Sequence, residues 1–269
     1  MNQKTLNTSL NTLREGSKHS PTTTTSAMPR RATRLLPVSP QEAEILLTEA
    51  YWRVLSERLG SRTPSSLDSP TLAHISEVAA WLSGSTHHRW LYLYGRIGSG
   101  KSTMAKAIVE AVRLYQVRRK AQIDDAAWRM PDDPHERRAY CDSVMRARHL
   151  LDMVPDPLFL SARDMAREVA AECAGGYERL RLAPCLVIDD VGTEPQEVRV
   201  YGSVYTPFEE LIEARYNAGY LTIMTSNLTV DNGRSDGTSV ASRYGERIAD
   251  RFREEAERVA FVGKSYRQI

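Results

Sequence analysis

A parallel α/β sheet of five strands flanked by helices is the fold class this sequence predicts, and three observations predict it. A short, wholly apolar run at 185–188 and a mostly apolar one at 220–224 have the composition of strands inside a sheet. These runs alternate with segments that read as capped helices, and such alternation closes a parallel sheet through right-handed crossovers. Between the first apolar run, 90–94, and a strong helix former at 104–112 lies a glycine-rich bend, Gly95-Arg96-Ile97-Gly98-Ser99-Gly100-Lys101-Ser102-Thr103. A strand entering such a bend and leaving as a helix is the local signature of a phosphate-binding loop.

Taken in order, residues 1–38 are poor in large apolar groups and rich in Thr, Ser and Asn, a composition that predicts disorder. They carry Lys4, Arg14, Lys18, Arg30, Arg31 and Arg34 against Glu15 alone, although the whole chain has a formal charge of only +2. Such a basic arm either touches nucleic acid or is a solvated tail. Order is expected from Ser39. Ser39-Pro40-Gln41-Glu42 reads as a capping box with proline at the first helical position. Ile45, Trp52, Leu55 and Leu59 make an apolar stripe that Gly60 ends. A second helix is predicted over 69–82. These two helices, residues 39–88, either pack on the sheet domain at 89–269 or present a face to a partner.

The most polar interior stretch, 116–157, holds Arg118-Arg119-Lys120 and a predicted helix over 134–151. It reads as an insertion, about 117–156, between the first and second strands, with its basic residues on a solvated face. The sheet resumes with a strand at 158–160. Ser161 caps a helix running to about residue 173, which Gly175-Gly176 end. After the strand at 185–188, Thr206-Pro207-Phe208-Glu209 reads as another capping box opening a helix to about 217. A strand at 220–224, a helix over 241–256 and a strand at 258–262 close the chain.

Composition excludes some classes. With 41% hydrophobic and 26% charged residues the chain is of the soluble globular kind. No apolar stretch approaches the roughly eighteen residues of a membrane span. Cys141, Cys173 and Cys185 are odd in number and share no metal-ligand spacing, which favours a reducing compartment and argues against structural zinc.

The bend at 95–102 matches Gly-x4-Gly-Lys-Ser. Its glycines let successive N–H groups converge on an anion, and the following helix adds its positive end. Lys101 would meet the β/γ-phosphates and the Ser102 hydroxyl Mg²⁺. The strand at 186–188 runs into Asp189-Asp190, where Asp189 would orient water on Mg²⁺ and Asp190 would polarise the water attacking the γ-phosphate. Thr225-Ser226-Asn227 ends another strand in a polar tip, and an amide there either bonds the lytic water or is a plain turn Asn. Arg243, Arg247 and Arg251 lie four apart on the predicted last helix, beside the apolar stripe Tyr244, Ile248 and Phe252. Composition alone favours surface pairing with Glu246, Asp250 and Glu254, but a bound nucleotide also needs positive charge at its γ-phosphate, often from a neighbouring subunit.

The order of these motifs, with Leu186-Val-Ile-Asp-Asp-Val-Gly192, Arg243-Tyr-Gly-Glu-Arg-Ile-Ala-Asp-Arg251 and Ser265-Tyr-Arg267, resembles the AAA+ ATPases of the DnaC/DnaI helicase-loader group. The IstB-type transposition ATPases are among that group's relatives. The resemblance covers about residues 89–269. It implies that residues 95–103 cradle the phosphates, with Lys101 and Ser102 as the Walker A pair. It makes Asp189 and Asp190 the Walker B pair, with Ser102 and Asp189 serving Mg²⁺, the latter through water. Asn227 becomes sensor 1, Arg251 the arginine finger acting across a subunit interface, Arg247 its support, and Arg267 a sensor-2-like arginine. The chain ends two residues after Arg267, so a helical lid is not expected. The implied activity is slow ATP hydrolysis in the cytoplasm, stimulated by DNA or a partner. The implied partners are a replicative helicase, single-stranded rather than duplex DNA, and further copies of the chain in a ring or spiral. The alternative is a transposase partner on duplex DNA. Arg163 and Arg167 are candidate DNA-phosphate contacts.

Overall fold

A computed structural model of the chain describes residues 34–171, 174–200, 202–234, 236–262 and 266. Most of the basic arm, together with Cys173, Ser265 and Arg267, lies outside the described residues. The main sheet has five strands, β1 (Trp90–Gly95), β2 (Leu158–Ser161), β3 (Cys185–Val191), β6 (Leu221–Ser226) and β7 (Ala256–Phe261). They are ordered β2-β3-β6-β1-β7, and every pairing is parallel. A two-stranded antiparallel hairpin, β4 (Val198–Val200) and β5 (Ser203–Tyr205), follows β3 and was not foreseen from the sequence.

The period of two along β1 sends its side chains into two separate cores. Leu91 and Leu93 join Cys185, Val187, Ile223 and Val259 beneath α1 (Pro40–Leu59), α2 (Ser69–Leu82) and α3 (Lys101–Trp128). Trp90 and Tyr92 face the other way, with Leu186, Ile188 and Met224, towards five further helices. These are α5 (Ala162–Ala170), α6 (Ala174–Leu182), α7 (Pro207–Ala218), α8 (Val240–Tyr244) and α9 (Glu246–Glu255). The result is three layers, with the sheet between helices.

Several local expectations are corrected. The packed chain reaches back beyond Ser39, because Leu35 and Leu36 are buried and both their N–H groups donate to the Leu82 carbonyl, at 3.2 and 2.9 Å. On α1 the buried face is Ala43, Leu46, Leu47, Ala50 and Tyr51, while Ile45 is 67% exposed. Of the expected stripe, Leu55 packs against the core from partial burial and Ile45 does not; the small alanines mark where α1 approaches its neighbours closely.

The P-loop helix does not stop before the insertion. It runs on to Trp128, and with α4 (Pro134–Asp152) it makes a helical hairpin. Tyr140 Oη donates to the Ala126 carbonyl at 2.7 Å across that hairpin. No residue of α4 is buried, and Trp128 at the end of α3 is 89% exposed.

Gly175 and Gly176 lie in α6 rather than ending a helix. Before α7 the Thr206 side chain caps nothing, and it is Glu210, not Glu209, whose carboxylate accepts from the Thr206 N–H at 3.0 Å. The predicted last helix breaks at Gly245 (φ 87°, ψ 163°), so Arg243 stands on α8 while Arg247 and Arg251 stand on α9.

Candidate functional site

The site begins where β1 ends. Gly95 pairs with Phe261 of β7, and a Cβ on it would lie 2.4 Å from the Phe261 carbonyl oxygen, so only glycine fits. Gly100, at φ 100°, turns the chain into α3, whose start no side chain caps. The uncapped first turn directs backbone N–H groups and the positive end of the helix dipole at the space in front of it.

Lys101, only 5% exposed, folds back over the loop. Its ammonium donates to the carbonyls of Gly95 (2.9 Å) and Arg96 (2.8 Å) and to Asn227 Oδ1 (3.0 Å).

Opposite the loop, β3 carries a bulge. Ile188 pairs with Met224 and Val191 with Ser226, so β3 has one more residue than β6 between these two points. Asp190 takes up the difference at φ 58°, a left-handed conformation uncommon outside glycine. Thr225 fixes the bulge from β6. Its hydroxyl donates to Asp189 Oδ1 at 2.6 Å and accepts from the Asp190 N–H at 2.9 Å. Bulges beside functional sites re-aim side chains, and here both carboxylates are turned at the strand's C-terminal end.

These parts line one cleft of about 200 Å³. Its walls are residues 97–103, Asp190, Thr193, Asn227 and, from α1, Arg58. Among the described residues no group of three or more carboxylate, imidazole or thiol side chains could hold a metal by itself. The oxygen donors suited to a hard cation here are the Ser102 hydroxyl and the Asp190 carboxylate in the cleft, with the Asp189 carboxylate beside them in the bulge. That sparse, hard set suits Mg²⁺ carried chiefly by water and phosphate oxygens.

The structure thus brings Lys101, Ser102, Asp190 and Asn227 together, with Asp189 next to them in the bulge. It leaves the arginines expected from the sequence elsewhere. Arg243 Nη2 donates to the Glu194 carbonyl at 2.6 Å. Arg247 pairs with Glu213 at 2.8 Å. Arg251 lies over the Tyr216 ring at 4.0 Å and pairs with Glu254 at 3.6 Å. Arg163 donates to the Thr193 carbonyl at 3.2 Å and Arg167 pairs with Asp164 at 2.8 Å, neither of them lining the cleft.

Three contributors escaped the sequence reading. Arg58 reaches the cleft from a helix 40 residues upstream, which no spacing rule discloses. Glu194 is a buried carboxylate that accepts from the Gly192 N–H at 2.8 Å and from the Tyr244 hydroxyl, tying the loop after β3 to α8. Burial raises the Tyr244 phenol well above its ordinary range, and the nearby Glu194 adds to the effect, so it stays a neutral donor. Tyr266 lies beside the loop itself. Its N–H donates to the Gly98 carbonyl at 2.9 Å and its hydroxyl to Asp68 Oδ2 at 2.6 Å, at the start of α2. Cys185, by contrast, is an inert core thiol, pushed up to about 12 by burial.

Comparison with known proteins finds likeness in structure alone. No protein-family model matches the sequence, and no curated protein matches it. Among solved structures, the chain is similar to one described as "Crystal structure of the DnaC helicase loader". The identity is 18%, with 78% of this chain and 97% of that chain covered and a TM-score of 0.45. It is similar to "Crystal Structure of the DnaI" at 18% identity, covering 78% of this chain and 92% of the other, with a TM-score of 0.44. It is also similar to AMPPCP-bound DnaA from Aquifex aeolicus at 15% identity, covering 77% of this chain and half of that chain, with a TM-score of 0.43.

Proposed function

We propose that the cleft binds ATP with Mg²⁺ and hydrolyses it, and that the bound nucleotide governs how copies of the chain assemble on single-stranded DNA and engage a replicative helicase. The ATP reading is carried by one observation: the buried Lys101 ammonium is bonded to the Asn227 amide inside a cleft that Asp190 also lines. Clefts at the C-terminal ends of parallel strands are where α/β folds bind ligands.

In this reading the Lys101 ammonium exchanges the Gly95 and Arg96 carbonyls for β- and γ-phosphate oxygens. The N–H groups at the start of α3 hold the remaining phosphate oxygens. Asn227, released from Lys101, turns its amide to the attacking water, and the Asp190 carboxylate takes that water's proton. When bound, Mg²⁺ supplies charge neutralisation at the phosphate oxygens. Asp189 and Ser102 are the side chains that would hold it.

Arg251 is outside its own cleft, which supports a role on the cleft of a neighbouring copy, with Arg247 beside it on α9. The helicase reading rests on the order of the sequence motifs from the P-loop to Ser265-Tyr-Arg267.

The test is DNA-stimulated ATP turnover. Asp190→Asn should bind ATP like the wild type but turn it over more slowly by about 10²-fold or more. Wild-type turnover in that variant would remove Asp190 as the base. Arg251→Ala should keep ATP binding and lose turnover that depends on assembly. Co-purification with a helicase and preference for single strands support loading; a transposase partner and filaments on duplex DNA would replace it with the transposition reading.

A further inference from the structure

The cleft holds a second cation, and it comes from the helix that precedes the sheet. Arg58 sits in the last turn of α1. Its Nη1 donates to Thr103 Oγ1 at 3.1 Å, and the side chain lines the cleft together with the P-loop. It also lines an adjoining cavity of about 380 Å³ with Val54, Glu57, Ser102, Thr103 and Lys106.

Its electrostatic situation differs from that of its neighbour. Arg53, one turn earlier on the same helix, pairs with Glu49 at 2.9 Å and Glu110 at 3.4 Å. Among the described residues the hydrogen-bond partner of Arg58 is the neutral Thr103 hydroxyl, and no carboxylate pairs with it. A guanidinium engaged only by a hydroxyl, at the rim of a cradle built for anions, gains more from a phosphate oxygen than it loses by leaving that hydroxyl.

Position decides which phosphate. Lys101 and Thr103 are two residues apart on α3, so they point about 200° apart around its axis. Lys101 occupies the side facing Asn227, where the β/γ end of a triphosphate belongs. Arg58 therefore flanks the helix start from the other side, next to a cavity that neither Asp189 nor Asp190 lines.

We propose that Arg58 is a nucleotide-binding residue supplied by the same chain, contacting the α-phosphate, and that the cavity beyond it receives the nucleoside. This rests on the ATP reading of the cleft and adds to it. It also gives α1 a task besides packing, because the helix brings its cation to the nucleotide that the sheet domain binds.

The experiment measures dissociation constants of ATP, ADP and the two diastereomers of adenosine 5′-(1-thiotriphosphate) for full-length wild type, Arg58→Ala and Arg58→Lys. Arg58→Ala should weaken ATP and ADP by the same factor, about tenfold or more. Arg58→Lys should recover part of the loss. The wild type should prefer one thio diastereomer, and Arg58→Ala should bring that ratio towards one, a change that a merely structural role would not produce. Wild-type affinity in Arg58→Ala overturns the proposal. So does a loss confined to ATP, which would put the contact at the γ-phosphate, or an unchanged diastereomer ratio. Failure of the wild type itself to bind ATP would instead refute the reading of the cleft.

Discussion

Asp190 and Thr225 together show how single residues shape the cleft. A non-glycine residue at φ 58° is strained, by of order 1–3 kcal/mol, and persists only where its surroundings hold it. Thr225 does so with two hydrogen bonds from the neighbouring strand. Arg215 has the opposite, purely structural task. Fully buried, it donates to the carbonyls of Leu180 (2.8 Å), Ala183 (2.9 Å) and Leu221 (2.6 Å) and to the Thr222 hydroxyl (2.9 Å), joining α6, α7 and β6. Replacing it leaves several buried acceptors unpaired. Arg215→Met should lower unfolding stability by about 3 kcal/mol or more, read from the denaturant midpoint. Asp68 carries a pH dependence. Burial pushes its carboxyl up, but hydrogen bonds from Thr71 and Tyr266 outweigh this and hold it below the ordinary carboxylate value. A depressed folded-state value means stability that is present above the ordinary range and is lost as pH falls through the folded value. Asp68→Asn should therefore flatten the acid limb of stability against pH; an unchanged limb would show that the bonds from Thr71 and Tyr266 do not matter in solution.

At the scale of elements, helix α1 shows what a sequence discloses and what it hides. Its start was legible, because Ser39 before proline accepts from the Glu42 N–H at 3.2 Å, as a cap should. Its buried face was not, since burial there follows Ala43, Leu46, Leu47 and Ala50 and not the bulkier Ile45 and Trp52. Leu47→Ala should cost about 2–5 kcal/mol, whereas Ile45→Ala should stay within about 0.5 kcal/mol. Equal effects on thermal or denaturant unfolding would contradict the packing described. Removing residues 34–60 should likewise yield an insoluble product, because that segment covers the same core as β1 and α3. The central strands β1, β3 and β6 were legible for a simpler reason: a strand buried on both faces is apolar along most of its length and leaves little ambiguity. Gly245 and the β3 bulge were not, because a helix break and an extra strand residue both depend on what the neighbouring elements demand.

For the whole molecule, the order β2-β3-β6-β1-β7 places the ends of β1, β3 and β6 side by side. The P-loop, the paired aspartates and Asn227 therefore converge although the aspartates lie about 90 and Asn227 about 130 residues beyond Lys101 in sequence. That much of the cleft could be read from motifs, since each motif ends a strand. Arg58, Glu194 and Tyr266 could not, since their parts depend on helix packing rather than on local spacing. The arginines of α8 and α9 do not line this cleft, so in the proposed assembly a complete site would take residues from two copies. The most direct test is calorimetric titration of Mg·ATP into wild type and Lys101→Ala. The account predicts saturable binding to the wild type, weakened by at least about tenfold in Lys101→Ala. Equal affinity in the two proteins would contradict it.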